Sequence, residues 1–324
     1  MTEFDFIATL RGFATDPAAR GLADDAAVLN IGGTNIVLTH DMIVENVHFL
    51  PADPPGDIAW KLLAVNLSDL AAKGARPIGA LLGYSLGDDQ WDRAFAEGMG
   101  EALAAFAIPL LGGDTVATAA DSPRTLGLTA IGQALDGAPS RADARDGDHL
   151  WVTGSIGDAG AGLKILRGEL AFSQALVDRY RNPRPRLEAG QALAPLVSAM
   201  MDVSDGLLID AQRMAAASRV AARIDLSAIP RSDDLLQACG DSRDDRIAAA
   251  CAGDDYELLF AADPGRATAL LDLSDRLCLA ISRIGEMTAG SGLILTDGAE
   301  EVPLPDRLGW EHVRPRHGDL RTAS

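Results

Sequence analysis

Short apolar or β-branched runs alternate with longer Ala- and Leu-rich stretches along the whole chain. This is the pattern of interleaved strands and helices in an α/β or α+β protein. In the first half, 35–39 reads as a strand, and Asp57 is placed to cap a helix from Ile58 to about Lys73, stopped by Gly74 ahead of Pro77. Strands are expected at 80–86, 108–111 and 125–133, with a helix over 91–107. The polar stretch 136–147, D-G-A-P-S-R-A-D-A-R-D-G, is the expected domain junction, dividing the chain into 1–136 and 137–324. Beyond it a strand is expected at 149–153, and the glycines at 154, 157, 160 and 162 lead into a helix through Arg167. Helices at 187–199, from Leu207 and from Pro264, and strands at 222–226, 256–261, 279–284 and 293–295, complete the second unit.

A length of 324 residues suits two domains, each large enough to bury its own core. The net charge of −19 argues against a nucleic-acid groove or an anionic membrane surface as partner. Of the acidic residues 36 are Asp and 11 are Glu, a skew that suits turns and rigid oxygen-ligand sites for hard cations. Cys239, Cys251 and Cys278 are odd in number and lack C-x-x-C spacing, so neither a disulfide framework nor a zinc site is indicated and a reducing, cytoplasmic setting is expected. No basic leader precedes an apolar segment, and no apolar run reaches the roughly 18 residues that would span a bilayer. Arg outnumbers Lys 25 to 3, which reads as codon usage in a GC-rich genome and carries no functional weight.

The informative feature is a set of aspartates placed where structure changes type. Asp24 and Asp25 precede an apolar run, Asp41 closes a strand, Asp114 follows L-L-G-G, and Asp202 and Asp205 stand in M-D-V-S-D-G-L, where Ser204 or Asp205 would cap the next helix. Asp69 lies inside a helix and shares a face with Asn66. A carboxylate there needs a cation, a hydrogen-bond partner or water; an Asp69–Lys73 pair on a solvated face is the competing reading. Taken singly, each Asp fits a turn or N-cap. Together, with no His or Cys cluster, they select Mg²⁺, Mn²⁺ or Ca²⁺ over zinc, and Mg²⁺ is preferred because it commonly bridges carboxylates to phosphates.

Familiar nucleotide motifs are missing: there is no G-x-x-x-x-G-K-[ST], kinase Gly-rich loop, H-R-D or G-x-S-x-G. The glycines of 154–162 do not spell the dinucleotide fingerprint, and close backbone packing explains them equally well. The histidines at 40, 48, 149, 312 and 317 form no metal pair at helical spacing, and His48 taken alone reads as a packed histidine.

In order, A-D-D-A-A-V-L (23–29), T-H-D-M-I-V-E-N-V-H-F (39–49), K-L-L-A-V-N-L-S-D-L-A-A-K-G-A-R-P (61–77), L-G-G-D-T (111–115), V-T-G-S-I-G-D-A (152–159), M-D-V-S-D-G-L (201–207), G-D-D-Y-E-L-L-F (253–260) and G-W-E-H (309–312) resemble the thiamine-monophosphate kinase family. That family is similar in turn to aminoimidazole ribonucleotide synthetase and selenophosphate synthetase. The resemblance implies two α/β domains, an N-terminal sheet forming a barrel across a homodimer, and ATP and several Mg²⁺ ions acting on thiamine monophosphate. By motif it implies metal ligation by Asp25, Asp41, Asp69, Asp114, Asp202 and Asp205, assisted by Thr39 and the backbone of His40. The same motifs imply ATP contacts at Gly113, Asp114, Arg141 and Ser204, and thiamine phosphate contacts at His48, Asp254 and Trp310, although Trp310 fits a core tryptophan equally. Departures from the family pattern are Ala23 for a usual Gly, Asn46 where Gly is common, Lys73 where Met is frequent, and Asp254 for the Glu of G-E-D-Y-E.

Direct in-line transfer of the γ-phosphoryl group follows as the expectation, because the acceptor is already an anionic phosphate oxygen and needs no side-chain base. The catalytic contribution then falls to Asp25, Asp41, Asp69 and Asp114 through metal ions. Two alternatives are another ATP-dependent synthetase of the same superfamily and a non-catalytic nucleotide- or Ca²⁺-binding module.

Overall fold

The computed structural model describes residues 3–119 and 122–311. Its first unit runs α1 (Glu3–Arg11), a 3₁₀ turn, β1 (Ala27–Ile31), β2 (Thr34–Val44), α2 (Pro55–Ala72), β3 (Ala75–Leu86), α3 (Asp89–Ala105), β4 (Leu110–Ala117) and β5 (Thr125–Ala134). The sheet order is β1-β2-β5-β3-β4, antiparallel apart from the parallel β3–β4 pair at its edge.

The second unit runs β6 (His149–Thr153), α4 (Asp158–Leu166), α5 (Gln174–Arg181), α6 (Leu187–Leu193), β7 (Ala199–Val203), α7 (Leu207–Ser218), β8 (Ala221–Asp225), α8 (Asp233–Cys239), α9 (Arg243–Ala250), β9 (Glu257–Ala262), α10 (Ala267–Leu277), β10 (Ile281–Thr288), β11 (Gly292–Asp297) and β12 (Glu300–Val302). Its seven strands lie in the order β12-β11-β8-β10-β6-β9-β7. The two-domain α/β architecture is thus present, with a separate core on each sheet.

Pairing with β5 carries β2 on to Val44 and opens β3 at Ala75, so Asp41 lies inside a strand and does not close it. Three further boundaries differ from expectation for local reasons. Helix α2 begins at Pro55 rather than Ile58, because the fixed φ of proline suits the first helical position; Asp57 sits in the first turn and is not the cap. The expected helix 187–199 stops at Leu193, since Pro195 cannot continue it, and Ala199 opens β7 instead. Strand β4 extends through Ala117, so Asp114 lies inside a strand and not at the end of one.

Helix α2 positions the site. It packs against β2 and β5 on one side and α3, α6 and β7 on the others, so nearly every residue from Ile58 to Ala72 is buried. An all-round buried helix is expected to be apolar. This one carries Lys61, Asn66, Ser68 and Asp69, with Lys73 at its C-cap, all buried. Its approach to α3 is made by two glycines: a Cβ on Gly98 would lie 2.3 Å from the Gly56 Cα. Gly98→Ala is expected to destabilise the protein by about 1–3 kcal/mol through overpacking, read as a lower Tm, and an unchanged Tm would refute the close approach.

Candidate active site

Five segments bring carboxylates together beside α2. Thr39 Oγ1, on β2, donates to Asp69 in a short hydrogen bond. The Asp41 amide donates to Asn66 Oδ1 at 3.0 Å, and Asn66 Nδ2 in turn donates to the Leu62 carbonyl at 2.9 Å, so the i, i+3 face of α2 holds β2 at Asp41. Ser68 Oγ donates to Asp202 Oδ2 at 2.6 Å, tying α2 to β7 of the second domain. One oxygen each from Asp25, Asp69 and Asp202 falls within 4.8 Å of the others. These three, with Asp41 and Asp205, line a cavity of about 800 Å³.

Burial dominates the electrostatics here, with neighbouring carboxylates second. Both push Asp69 and Asp202 well above the ordinary carboxylate range and Asp41 up to about 6. Asp24 behaves oppositely. Burial alone would raise it, but Lys73 and Arg20 at contact distance offset that and bring it down to about 2. Lys73, 0% exposed, sets its ammonium 2.5 Å from Asp24 and 2.7 Å from Asp25, and Arg141 pairs with Asp25. The Asp25 Oδ2 atom is buried with no hydrogen-bond partner. Three carboxylates, each with an oxygen within 4.8 Å of the others and none accompanied by a His or Cys ligand, make an oxygen-only donor set that fits a hard divalent cation.

His48, Asp254 and Trp310 also line the cavity. His48 Nδ1 accepts from the Val44 amide at 3.0 Å, so a neutral ring carries its proton on Nε2. Lys61 Nζ pairs with Asp254 at 2.8 Å, donates to the His48 carbonyl at 2.9 Å and lies over the Tyr180 ring. The backbone turns sharply there, with φ of 72° at Asp254 and 50° at Tyr256, so that Asp254 faces the cavity while Asp255 points away. Trp310 is 50% exposed, which excludes the core reading, and its amide donates to the Asp205 carbonyl at 2.8 Å.

Asp25, Asp41, Asp69, Arg141, Asp202, Ser204, Asp205, His48, Asp254 and Trp310 all line the one cavity. Thr39 reaches it through Asp69. The His40 ring sits on the opposite face of β2, bonded to Thr129, leaving only its backbone toward the site. Gly113 and Asp114 lie on β4, exposed along its whole length and outside the cavity lining. The remaining residue of the last matching motif, His312, and His317 lie outside the described residues.

Two expectations are corrected. Neither Ser204 nor Asp205 caps α7; Asp210, inside that helix, accepts both of their amides at 3.1 Å, and burial pushes it up to about 7. Lys73 turns to Asp24 and Asp25 and forms no i, i+4 pair with Asp69, on a face that is buried and not solvated. The glycine run resolves to packing: a Cβ at Gly157 would meet Ala249, at Gly160 Ala252 and at Gly162 the Leu176 carbonyl. The α4 N-terminus is already filled by Asp255, which accepts from the Gly157 and Ala159 amides at 2.7 and 3.3 Å. Sequence reasoning missed Lys61 and Lys164 and gave Lys73 the wrong partner, although the signal was present. In a chain with 25 arginines these are all the lysines there are, and two clamp site carboxylates while the third lines the cavity.

Two family models match, AIR synthase related protein N-terminal domain over 23–134 and C-terminal domain over 145–298. The chain is similar to the thiamine-monophosphate kinase of Caulobacter vibrioides, 42% identical over 96% of this chain and 91% of the relative. It is 38% identical to that of Escherichia coli K12, over 90% of this chain and 91% of the relative. A solved structure of AaThiL complexed with AMPPCP and TMP superposes with a TM-score of 0.83 at 27% identity, covering 96% of this chain and 97% of that one.

The shifted carboxyls imply a pH signature. Asp41, Asp69, Asp202 and Asp210 hold protons in the folded state that the unfolded chain releases, so their stabilisation is full below about pH 4 and is lost as pH rises toward 7. Asp24, lowered, contributes only above its ordinary value and loses that contribution toward about 2, outside this window. In chelator, the wild type is expected to lose Tm relative to Asp202→Asn as pH rises from about 4 to 7; parallel Tm profiles would show that Asp202 is not held protonated.

Proposed function

The chain belongs to the AIR synthase related family and, within it, to the thiamine-monophosphate kinases, and from that membership we propose that it phosphorylates thiamine monophosphate with ATP, giving thiamine diphosphate and ADP. The observation that carries the reading is the buried Asp25, Asp69 and Asp202 group at the floor of an open cavity.

In this proposal Asp25, Asp41, Asp69, Asp202 and Asp205 hold Mg²⁺, with Thr39 fixing Asp69. When bound, the ions would offset the repulsion between the phosphates of the two substrates. Asp25, Asp41 and Asp69 are the catalytic carboxylates in this sense, and Asp114 joins them on motif alone. Arg141 and Ser204 on the wall, with Gly113 and Asp114 on β4, take ATP. His48 offers an Nε2 donor, Asp254 an anchored carboxylate and Trp310 an aromatic face to thiamine monophosphate. The acceptor oxygen is anionic at neutral pH, so transfer is direct and in-line, with no protein nucleophile.

Residues 1–136 form the ATP- and metal-binding domain and 137–324 its C-terminal partner. The outer face of the N-terminal sheet exposes Met42, Leu81, Leu111 and Val116, an apolar surface suited to a second copy of the chain in a barrel-like homodimer. A cytoplasmic setting completes the proposal; among the described residues no helix is long and apolar enough to cross a membrane.

Purified protein incubated with ATP, Mg²⁺ and thiamine monophosphate is expected to form thiamine diphosphate, and absence of the product overturns the reading. Asp69→Asn is expected to lower kcat by roughly 10²–10³-fold, the scale lost with one electrostatic stabiliser, at near-native Tm. Leu81→Arg is expected to convert the dimer to a monomer in sedimentation; a wild type already monomeric at micromolar concentration contradicts the dimer.

A further inference from the structure

The carboxylates of the cavity are unequally served by cations. Asp24 and Asp25, each with a side chain 2% exposed, are met by three positive groups: Arg20 on Asp24 at 2.6 Å, Arg141 on Asp25, and Lys73 on both. Asp41, Asp69 and Asp202 have no Lys or Arg nitrogen within 4.0 Å among the described residues; Asp69 and Asp202 receive hydroxyl donors only.

Lys73 stands out within the cation-rich half. Its Nζ sits among four oxygens, from Asp24 at 2.5 Å, Asp25 at 2.7 Å, the Met200 carbonyl at 3.1 Å and the Pro139 carbonyl at 3.2 Å. Two carboxylates and two carbonyls, drawn from the N-terminal segment, the domain junction and β7, make the donor set of a cation cage. An ammonium has three protons to offer and the cage four acceptors; the Asp25 oxygen, in contact but without a hydrogen bond, is the one left over. The group is fully buried and tethered by a backbone whose amide still bonds the end of α2.

We infer that Lys73 is a resident cation of the acidic cluster, occupying the Asp24–Asp25 cage in place of a divalent ion and leaving the Asp25, Asp69 and Asp202 group as the place where metal binds. With Arg20 and Arg141 it pairs Asp24 and Asp25 before any ion arrives. Asp25 belongs to both halves, with one oxygen in contact with the ammonium and the other with Arg141.

Removing the ammonium while keeping the bulk opens the cage to a metal. The test is Mn²⁺ titration of the full-length wild type and of Lys73→Met, with free ion read by electron paramagnetic resonance, alongside thermal unfolding of both in chelator and in Mn²⁺. Lys73→Met is expected to bind at least one Mn²⁺ equivalent more than the wild type and to gain more Tm from the ion. Equal stoichiometry or an equal gain overturns the inference, and so does a Lys73→Met chain that stays unfolded when Mn²⁺ is supplied. The inference rests on the metal reading of the cavity. A wild type that takes up no Mn²⁺ defeats that reading, whereas a wild type that does, beside an unchanged Lys73→Met, defeats only the role of Lys73.

Discussion

Like charges brought out of water between two domains repel one another and lose hydration, and the whole arrangement around α2 answers that cost. Asp69 and Asp202 receive one short hydroxyl bond each, from Thr39 and Ser68, which orients them while supplying no charge. Asp24 and Asp25 receive full cations. The first pair is therefore left with raised proton affinity, whereas Asp24 is held low by the cations beside it. Such a division lets one small volume hold many aspartates without unfolding the chain around them.

The same constraint explains how the chain handles phosphate chemistry without a glycine-rich phosphate loop. Backbone amides at a helix N-terminus are the usual anion cradle. Here the best-placed one, at α4, is occupied by the chain's own Asp255. With that route closed, the cavity offers negative ligands the cationic side chains of Arg141, Lys164, Arg167 and Arg213 on its lining.

Much of this was legible in the sequence, and the exceptions follow a rule. Alternation and helix stops located most strands and the long helices, because burial periodicity acts locally. The acidic motifs pointed to one site, and Asp25, Asp41, Asp69, Asp202 and Asp205 do converge there. What could not be read were the partners, since a contact across 49 or 193 residues, as for Lys73–Asp24 and Lys61–Asp254, leaves no periodic trace. The role of Asp210 was hidden because a carboxylate one turn into a helix reads as a surface charge, whereas here it turns back to hold the preceding loop. Asp114 was misjudged by the length of β4, an exposed strand that hydrophobic pattern alone ends too early.

One consequence concerns the two domains as a unit. Three polar bonds that cross between the domains start on α2 or at its cap, Lys61 to Asp254, Ser68 to Asp202 and Lys73 to Met200, and the Arg141–Asp25 pair crosses beside them. The helix is fastened to the second domain by contacts that admit no side chain, for a Cβ at Gly190 would lie 2.0 Å from the Ala71 carbonyl and one at Gly74 would lie 2.5 Å from Ala194 Cβ. A small rotation between domains would break the Asp202 and Asp254 attachments together. The close glycine contacts thus hold α2 against the second domain, and α2 serves both domains as a shared core element.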